Sequence, residues 1–429
     1  MPRIGVRRLA FPTEALPTPI LAVGSVLSLA LLGDALLYVA LPAHAAELGL
    51  PLWAVGVLLG ANRIVRLVTN GLAASVFTRI GGRVPVIAAS IAAAITTAMY
   101  GLVPTFLPFL FARFVWGACF STLRLGGYTV VLAVSQASNR GRSIGVYQSI
   151  SRIGPVSSLL IGGLLVEWLG YHAAFVVLGV ASTPAIALAF LIPPSAYFPK
   201  ASAHPAPSPV RSTEGPKRAR IDWRERWFGG RLLVAVKFGM LANGFASQGV
   251  VLATLTLALT DVAGTSEGAA AVGGLLVAFR WGADLFLAPG FGHLSDRIGR
   301  GRMIPAMLVI EAVALGGLSF ATDRFLVIAA TLAVFVTSTA MTAASDAAAG
   351  DLAPPERRAA VMSGYADWAD IGAALGPPLA FLLAERLGLF PSYGLSAALL
   401  VAVAGWFVVA WHRHPPAADS RLDTHARSV

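Results

Sequence analysis

Gly292-His293-Leu294-Ser295-Asp296-Arg297-Ile298-Gly299-Arg300-Gly301-Arg302 is the stretch whose reading decides the fold. It holds one acid and three arginines, and long apolar runs flank it on both sides. A short basic segment between two such runs reads as a tight turn joining two membrane helices. The whole composition agrees. Of 429 residues, 56% are hydrophobic and only 12% charged, and the mean hydropathy is +0.74. Soluble domains carry about 25% charged residues. A chain with half that share lacks the polar surface to face water and reads as an integral membrane protein.

A helix needs about 20 apolar residues to cross a bilayer, and the chain offers twelve such runs. They are 20–44, 52–76, 84–103, 106–134, 144–169, 171–192, 232–259, 269–291, 303–320, 325–349, 360–387 and 390–411. The predicted organisation is a tail at 1–19, a six-helix bundle at 20–192, a linker at 193–231, a second six-helix bundle at 232–411 and a tail at 412–429. Of the 32 Lys and Arg residues, 23 fall in the tails and the connections on their side, against two, Arg324 and Arg386, on the other. Basic loops stay in the cytoplasm, so both termini are expected there. The net charge of +11 thus belongs to one membrane face and not to a nucleic-acid site. Within the linker, Trp223 and Trp227 share one helical face among arginines, the pattern of an interfacial amphipathic helix.

The two halves repeat. Arg79-Ile80-Gly81 and Arg297-Ile298-Gly299 stand 218 residues apart, as do Tyr147 and Tyr365, Gly154 and Gly372, Glu167 and Glu385. One constant offset across spans 2–5 and 8–11 implies two similar bundles. The 292–302 stretch resembles the G-x-L-x-D-R-x-G-R-x-R loop signature of the major facilitator superfamily of secondary transporters. The resemblance implies an all-α membrane fold of twelve helices in two pseudo-symmetric six-helix bundles, and a gating role for Asp296, Arg297 and Arg300. The first-half copy of the loop has Thr78 where the acid belongs, so that role carries over to Asp296 alone.

Thirteen charges lie inside the predicted spans. Spans 1–6 hold Asp34, Arg63, Arg66, Arg113, Arg124 and Arg152; spans 7–12 hold Lys237, Arg280, Asp284, Glu311, Asp346, Asp367 and Asp370. Each costs roughly 3 kcal/mol at mid-bilayer, so thirteen facing lipid would exceed the ~5–15 kcal/mol that a fold has to spare. They must line a wet cavity or pair with one another. Lys237, near the start of span 7, is expected to snorkel to the interface. Glu311 falls on span 9, which the resemblance makes peripheral, and is given no role.

Spacing sorts the remainder. Asn62, Arg63 and Arg66 share a face, Arg280 and Asp284 are four apart, and Asp367 and Asp370 are three apart, close enough to share a proton. At the 218 offset Arg66 corresponds to Asp284, and Arg152 to Asp370. In the family it resembles, span 2 faces span 11 and span 5 faces span 8. At ~1.5 Å per residue, Arg66 then meets Asp370, and Arg152 meets Asp284, unless each charge pairs within its own bundle, as Asp284 can with Arg280. The basic half suits an anionic or polar substrate group held by Asn62, Arg63, Arg66, Arg113, Arg152 and Arg280. The acids Asp34, Asp284, Asp367 and Asp370 suit proton binding, with Asp34 alternatively a counter-ion to Arg63 or Arg113.

Other chemistries lack their residues. There is one cysteine, no metal-spaced histidine pair and no phosphate-binding G-x-x-x-x-G-K-[ST] loop. No enzyme constellation, cofactor or metal is expected. Antiporters of the superfamily carry G-x8-G-x3-G-P-x2-G-G on span 5. Here Gly145, Gly154 and Pro155 match part of it, while Gly372-x3-Gly376-Pro377-Pro378 on span 11 matches better, which leaves direction open. Arg113 stands where family members place an arginine for proton coupling, and tilts the reading to proton-linked export of a small amphipathic or anionic compound. The expected partners are that compound, protons and the lipid bilayer of a bacterial-type inner membrane, with the chain a monomer. Proton-linked uptake of an organic anion or sugar-like solute stays open, as does a membrane scaffold that kept the fold without transport.

Overall fold

A computed structural model describes residues 18–103, 105–135, 140–192, 227–265, 268–353 and 358–413. The described residues form helices and no strand. In chain order these are α1 (Thr18–Ala30), α2 (Leu32–Ala43), α3 (Leu52–Ile80), α4 (Arg83–Leu102), α5 (Phe106–Val134), α6 (Arg140–Ala181) and α7 (Pro184–Ala189). The second half has α8 (Arg231–Asn243), a π-helical segment (Gly244–Val251), α9 (Leu252–Ala263), α10 (Ala269–Phe286), α11 (Ala288–Ile298), α12 (Arg300–Ser319), α13 (Arg324–Leu352), α14 (Arg358–Leu387) and α15 (Leu389–Arg413). Helices are the form that satisfies every backbone group within one segment, which hydrocarbon demands. Trp168, Phe286 and Phe320 are 80%, 78% and 82% exposed, an arrangement that suits contact with acyl chains and not with water.

Nine helical segments among the described residues are long and apolar enough to cross a membrane, or ten if the bent pair α10–α11 is one span. One of the nine, Ser143–Ala189, contains two helices joined at Gly170, whose backbone is non-helical. The acid-bearing α14 is not among the nine. The offset of 218 reappears in the element ends: α5 shifted by that amount coincides with α13. The turns repeat too. Gly81 and Gly299 have φ of 91° and 89°, Gly170 and Gly388 of 78° and 89°, values that a side chain would strain.

The 292–302 stretch is itself mostly helical, against the expected loop. Helix α11 continues to Ile298, Gly299 alone reverses the chain, and Arg300 opens α12. Pro289 at the start of α11 and Arg297 in its last turn are both favourable for a helix. The segment that bears the 292–302 residues marks one end of the molecule, called here the loop end.

The halves meet most closely at the opposite, far end. There α3 packs along α14, with Gly56 and Gly60 against the backbone of Ala374, Pro377 and Pro378. A side chain at either glycine would hold the helices apart. The Trp53 amide donates to Glu385 Oε1 at 2.9 Å across the same junction. Within the second half, the π-helical segment lies on α14, with Gly249 against Gly376. The π turn adds a residue to the helix and rotates the side chains beyond it. The linker helix expected around Trp223 lies outside the described residues, as do 1–17 and 414–429.

Candidate functional site

Helix α2 begins one residue after a break at Leu31, and Asp34 falls in its first turn, where the helix dipole favours a carboxylate. Its partner is Arg113 of α5. This guanidinium is fully buried and donates to Asp34 Oδ1 at 2.5 Å, to the Leu58 carbonyl at 2.8 Å and to the Leu59 carbonyl at 3.4 Å. Asn62 adds a donor to Asp34 Oδ1 at 3.3 Å. The group is internal to the first half and saturated, so Arg113 sits behind the site as a counter-ion.

Arg66 and Asp370 meet across the halves, with Nη2 2.9 Å from Oδ1. Arg63 adds a longer contact to the same carboxylate at 3.8 Å. It also donates to Gln248 Oε1 at 3.2 Å and to the Tyr38 hydroxyl at 3.4 Å. The Arg66 guanidinium lies 4.8 Å from the Phe120 ring centroid, within cation–π range. Asp34, Tyr38, Asn62, Arg63, Arg66, Trp116, Phe120 and Trp281 line a cavity of about 90 Å³ between the halves. Three buried polar atoms of this lining have no protein partner: Arg66 Nε, Trp116 Nε1 and Asn62 Oδ1.

The second expected cross-pair is absent. Arg152 stacks on Trp281, 4.5 Å from its centroid, and Asp284 accepts the Thr339 hydroxyl at 2.7 Å. Trp281 follows Arg280 directly and takes the Arg152 cation on its face, with the Asp284 carboxylate one turn on held by Thr339. Arg280 does not pair with Asp284 either; it donates weakly to Ser338 Oγ at 3.4 Å and lies 5.4 Å from the Phe335 centroid. Neither Arg152 nor Arg280 lines the cavity.

Three further expectations are corrected. Asp367 and Asp370 do not share a site: Asp370 turns to the first half, while Asp367 is buried in the electrostatic neighbourhood of Lys237. Lys237 does not snorkel. It is fully buried, with Nζ donating to the Trp227 carbonyl at 3.3 Å. That carbonyl also accepts Trp368 Nε1 at 3.0 Å, so local hydrogen bonds replace water. Among the described residues, Glu311 neither lines the cavity nor sits in an ion pair: it is fully buried, while Val309, Ile310 and Val313 on the same helix are exposed.

At the loop end, Arg300 joins Asp296 at 3.1 Å and pairs with Asp351 at the end of α13. Nη1, which faces Asp351, also donates to the Ala347 carbonyl at 2.9 Å. Arg297 lies apart, on a surface groove with His293, Phe286 and Phe291. Sequence reasoning missed Gln248, Tyr38, Trp116, Trp281 and Asp351. Gln248 was findable as a polar residue in an otherwise apolar stretch; the aromatics look like any membrane-helix filling.

The Major Facilitator Superfamily model matches residues 23–282 and 238–427. The chain belongs to the major facilitator superfamily. It is therefore a multi-pass membrane protein of a transporter family, and not an enzyme. Over 247 residues it is 24% identical to the multidrug resistance protein MdtG of Dickeya zeae (strain Ech586), an alignment that spans 56% of each chain. Among solved structures it resembles a bacterial homologue of the human lysosomal transporter Spinster in inward-facing conformations. The occupied form has a TM-score of 0.75 at 17% identity, covering 92% of this chain and 96% of that one. The unoccupied form has 0.77 at 16%, covering 93% and 98%. The nucleoside transporter NupG has 0.73 at 13%, covering 92% and 98%. At such identities these structures speak for the fold alone.

Proposed function

We propose that the protein is a proton-coupled secondary transporter that exports a small amphipathic or anionic organic compound by alternating access. The observation that carries this reading is the set of polar atoms left around the cavity for a guest. Arg66 Nε and Trp116 Nε1 are donors, Asn62 Oδ1 is an acceptor, and none is satisfied by the protein. Buried polar groups are rarely left so. Two donors, two guanidinium groups and aromatic faces favour an anionic or carbonyl-bearing guest with an apolar body.

The cavity holds about 90 Å³, well under the roughly 300 Å³ of a small-molecule site. Loading a guest requires the halves to part. In this reading twelve spans form two six-helix bundles, 20–192 and 232–411, that rock about the cavity. The basic loops put both termini in the cytoplasm of a bacterial-type inner membrane, so the tight junction at Gly56, Gly60 and Glu385 is the outer gate. Asp284, Asp367 and Asp370 are the candidate proton carriers, Asp34 being held by the buried Arg113, and Asp296, Arg297 and Arg300 are the inner gate. Export draws support from the likeness to MdtG, a multidrug resistance protein by name, over the aligned part only.

The Arg66–Asp370 pair favours a second reading, uptake. A proton on Asp370 releases Arg66 for an anion, so proton and anion load together, which is symport. Export instead needs the proton and the guest to exclude each other, as when a donor on the guest competes for Asp370. Proteoliposomes under an imposed pH gradient, with anionic, cationic and neutral compounds, separate the two. Accumulation in the acidic compartment supports antiport and export; accumulation in the alkaline one supports symport. Stimulation by cations alone overturns the arginine-lined site.

A further inference from the structure

Glu311 lies midway along α12, fully buried, and neither of its carboxyl oxygens has a hydrogen-bond partner. Its helix packs on α13 and α15. Leu308 and Ala312 of its own helix, Val334 and Phe335 of α13, and Leu400 and Ala404 of α15 are all buried members of one apolar core. The charged residues of those helices stand near their ends: Arg324, Asp346 and Asp351 on α13, His412 and Arg413 on α15. Tyr393 of α15 is engaged with Thr254, and on α8 Lys237 is held by Trp227. The charge within electrostatic reach of Glu311 is Arg280 of α10.

An ionised carboxylate in that setting, with no donor to meet it, is far costlier than the neutral acid. Arg280 is poorly held, with one long hydrogen bond to Ser338 and one ring at the edge of cation–π range. The next residue, Trp281, carries Arg152 of the first half on its face. Movement between the halves therefore acts on the helix that bears Arg280. The positions 218 residues earlier are Ala93 and Asn62, so the first half has no such acid–arginine arrangement.

We propose that Glu311 is a proton-binding site of the second half, which keeps its proton in this conformation and gives it up when Arg280 moves from Ser338 and Phe335 onto the carboxyl group. The site stands apart from the cavity and from Asp34, Asp284, Asp367 and Asp370. Its service in coupling rests on the transport reading above; proton binding itself does not.

The test uses the full chain in lipid, with isotope-labelled glutamate, and infrared spectra over a pH series. A protonated carboxyl band is expected at neutral pH, moved by the label and missing in Glu311→Gln, a near-isosteric change. In Arg280→Gln the band should persist to higher pH, because the cation that favours the ionised form has gone. Absence of a protonated glutamate band in the unmodified protein at neutral pH overturns the proposal, and that measurement needs no variant to fold. A band that survives Glu311→Gln does the same, and an unchanged titration in Arg280→Gln overturns the pairing. In proteoliposomes Glu311→Gln should lose gradient-driven accumulation; full retention overturns the coupling role. If the unmodified protein moves no compound, the transport reading fails while the spectra still decide the proton site.

Discussion

Replacing Asp370 by asparagine removes the carboxylate that ties the two halves together at mid-depth. Its oxygen stands 2.9 Å from Arg66 Nη2 and 3.8 Å from Arg63 Nη1. At about 4 Å and an effective dielectric of about 20, unit charges attract by ~4 kcal/mol. Part of this repays desolvation, and the Asp370 side chain keeps 17% of its exposure. We therefore take ~3 kcal/mol, the low end of the range for stripping a buried ion of its partner. If the opposite conformation lacks the pair, the equilibrium moves away from this one by roughly 100-fold, since ~1.4 kcal/mol is a factor of ten. Arg66→Gln should cost less, ~1–2 kcal/mol, because Arg63 remains beside the carboxylate. The double variant should cost less than the sum. Spin labels on the two loop-end turns, near Gly81 and Gly299, report the equilibrium as a distance distribution. Unchanged distributions in Asp370→Asn, or strictly additive effects of the two changes, would refute the reasoning.

Asp34→Asn leaves the fully buried Arg113 without its counter-ion and should cost ~3–5 kcal/mol, read as a lower Tm in detergent. Asp34→Asn combined with Arg113→Gln should recover most of that loss, and an equally low Tm in the pair counts against the ion-pair account. Gly60→Leu drives a side chain into the Ala374 carbonyl and the Pro378 ring; overpacking costs ~1–3 kcal/mol and should lengthen a far-end label distance, while an unchanged distance would mean that the junction has slack. Asp351→Asn removes one partner of Arg300, but Asp351 and Asp296 keep 66% and 61% of their side-chain exposure. It should change stability by under ~1 kcal/mol and act, if at all, on proteolysis near 292–302; a large fall in Tm would show the contact to be stronger than a surface pair.

The 218-residue offset carried much of this structure. It places helix ends and the paired glycine turns and, with the packing of span 2 on span 11 that the resemblance implies, the meeting of Arg66 with Asp370, all consequences of depth, and depth is counted along a helix at ~1.5 Å per residue. Azimuth is harder. Whether Arg152 reaches Asp284 or the Trp281 ring depends on rotation about α10, which bends into α11 after Phe286, and no residue count predicts that. The π-helical segment before α9 rotates the helix as well. It is a backbone choice that Gly244 and Gly249 permit without announcing. Lys237 and Glu311 depart from expectation for a third reason. Hydropathy assigns a charge a cost, whereas the actual cost depends on local partners, such as the Trp227 carbonyl that Lys237 meets, or on carboxyl oxygens left without a hydrogen bond, as in Glu311.

Burial also separates the ion pairs by what they are free to do. Asp34–Arg113 lies within one half, and its guanidinium has no exposure. Opening it would leave a charge in a dry interior, at ~3–5 kcal/mol, with nothing gained from relative movement of the halves. Arg66–Asp370 joins different halves, keeps 9% and 17% side-chain exposure, and borders a cavity with room for about three waters at ~30 Å³ each. Water entering as the helices part can take over the hydrogen bonds of both partners, so the net cost of opening falls towards that of a solvated pair. A carrier needs both kinds. The dry pair holds one bundle rigid so that motion is not absorbed within it, and the wetted pair sits where that motion must be reversible. Of these two pairs, Arg66–Asp370 is therefore the one whose interaction should change during a transport cycle, while Asp34 and Arg113 should stay joined throughout.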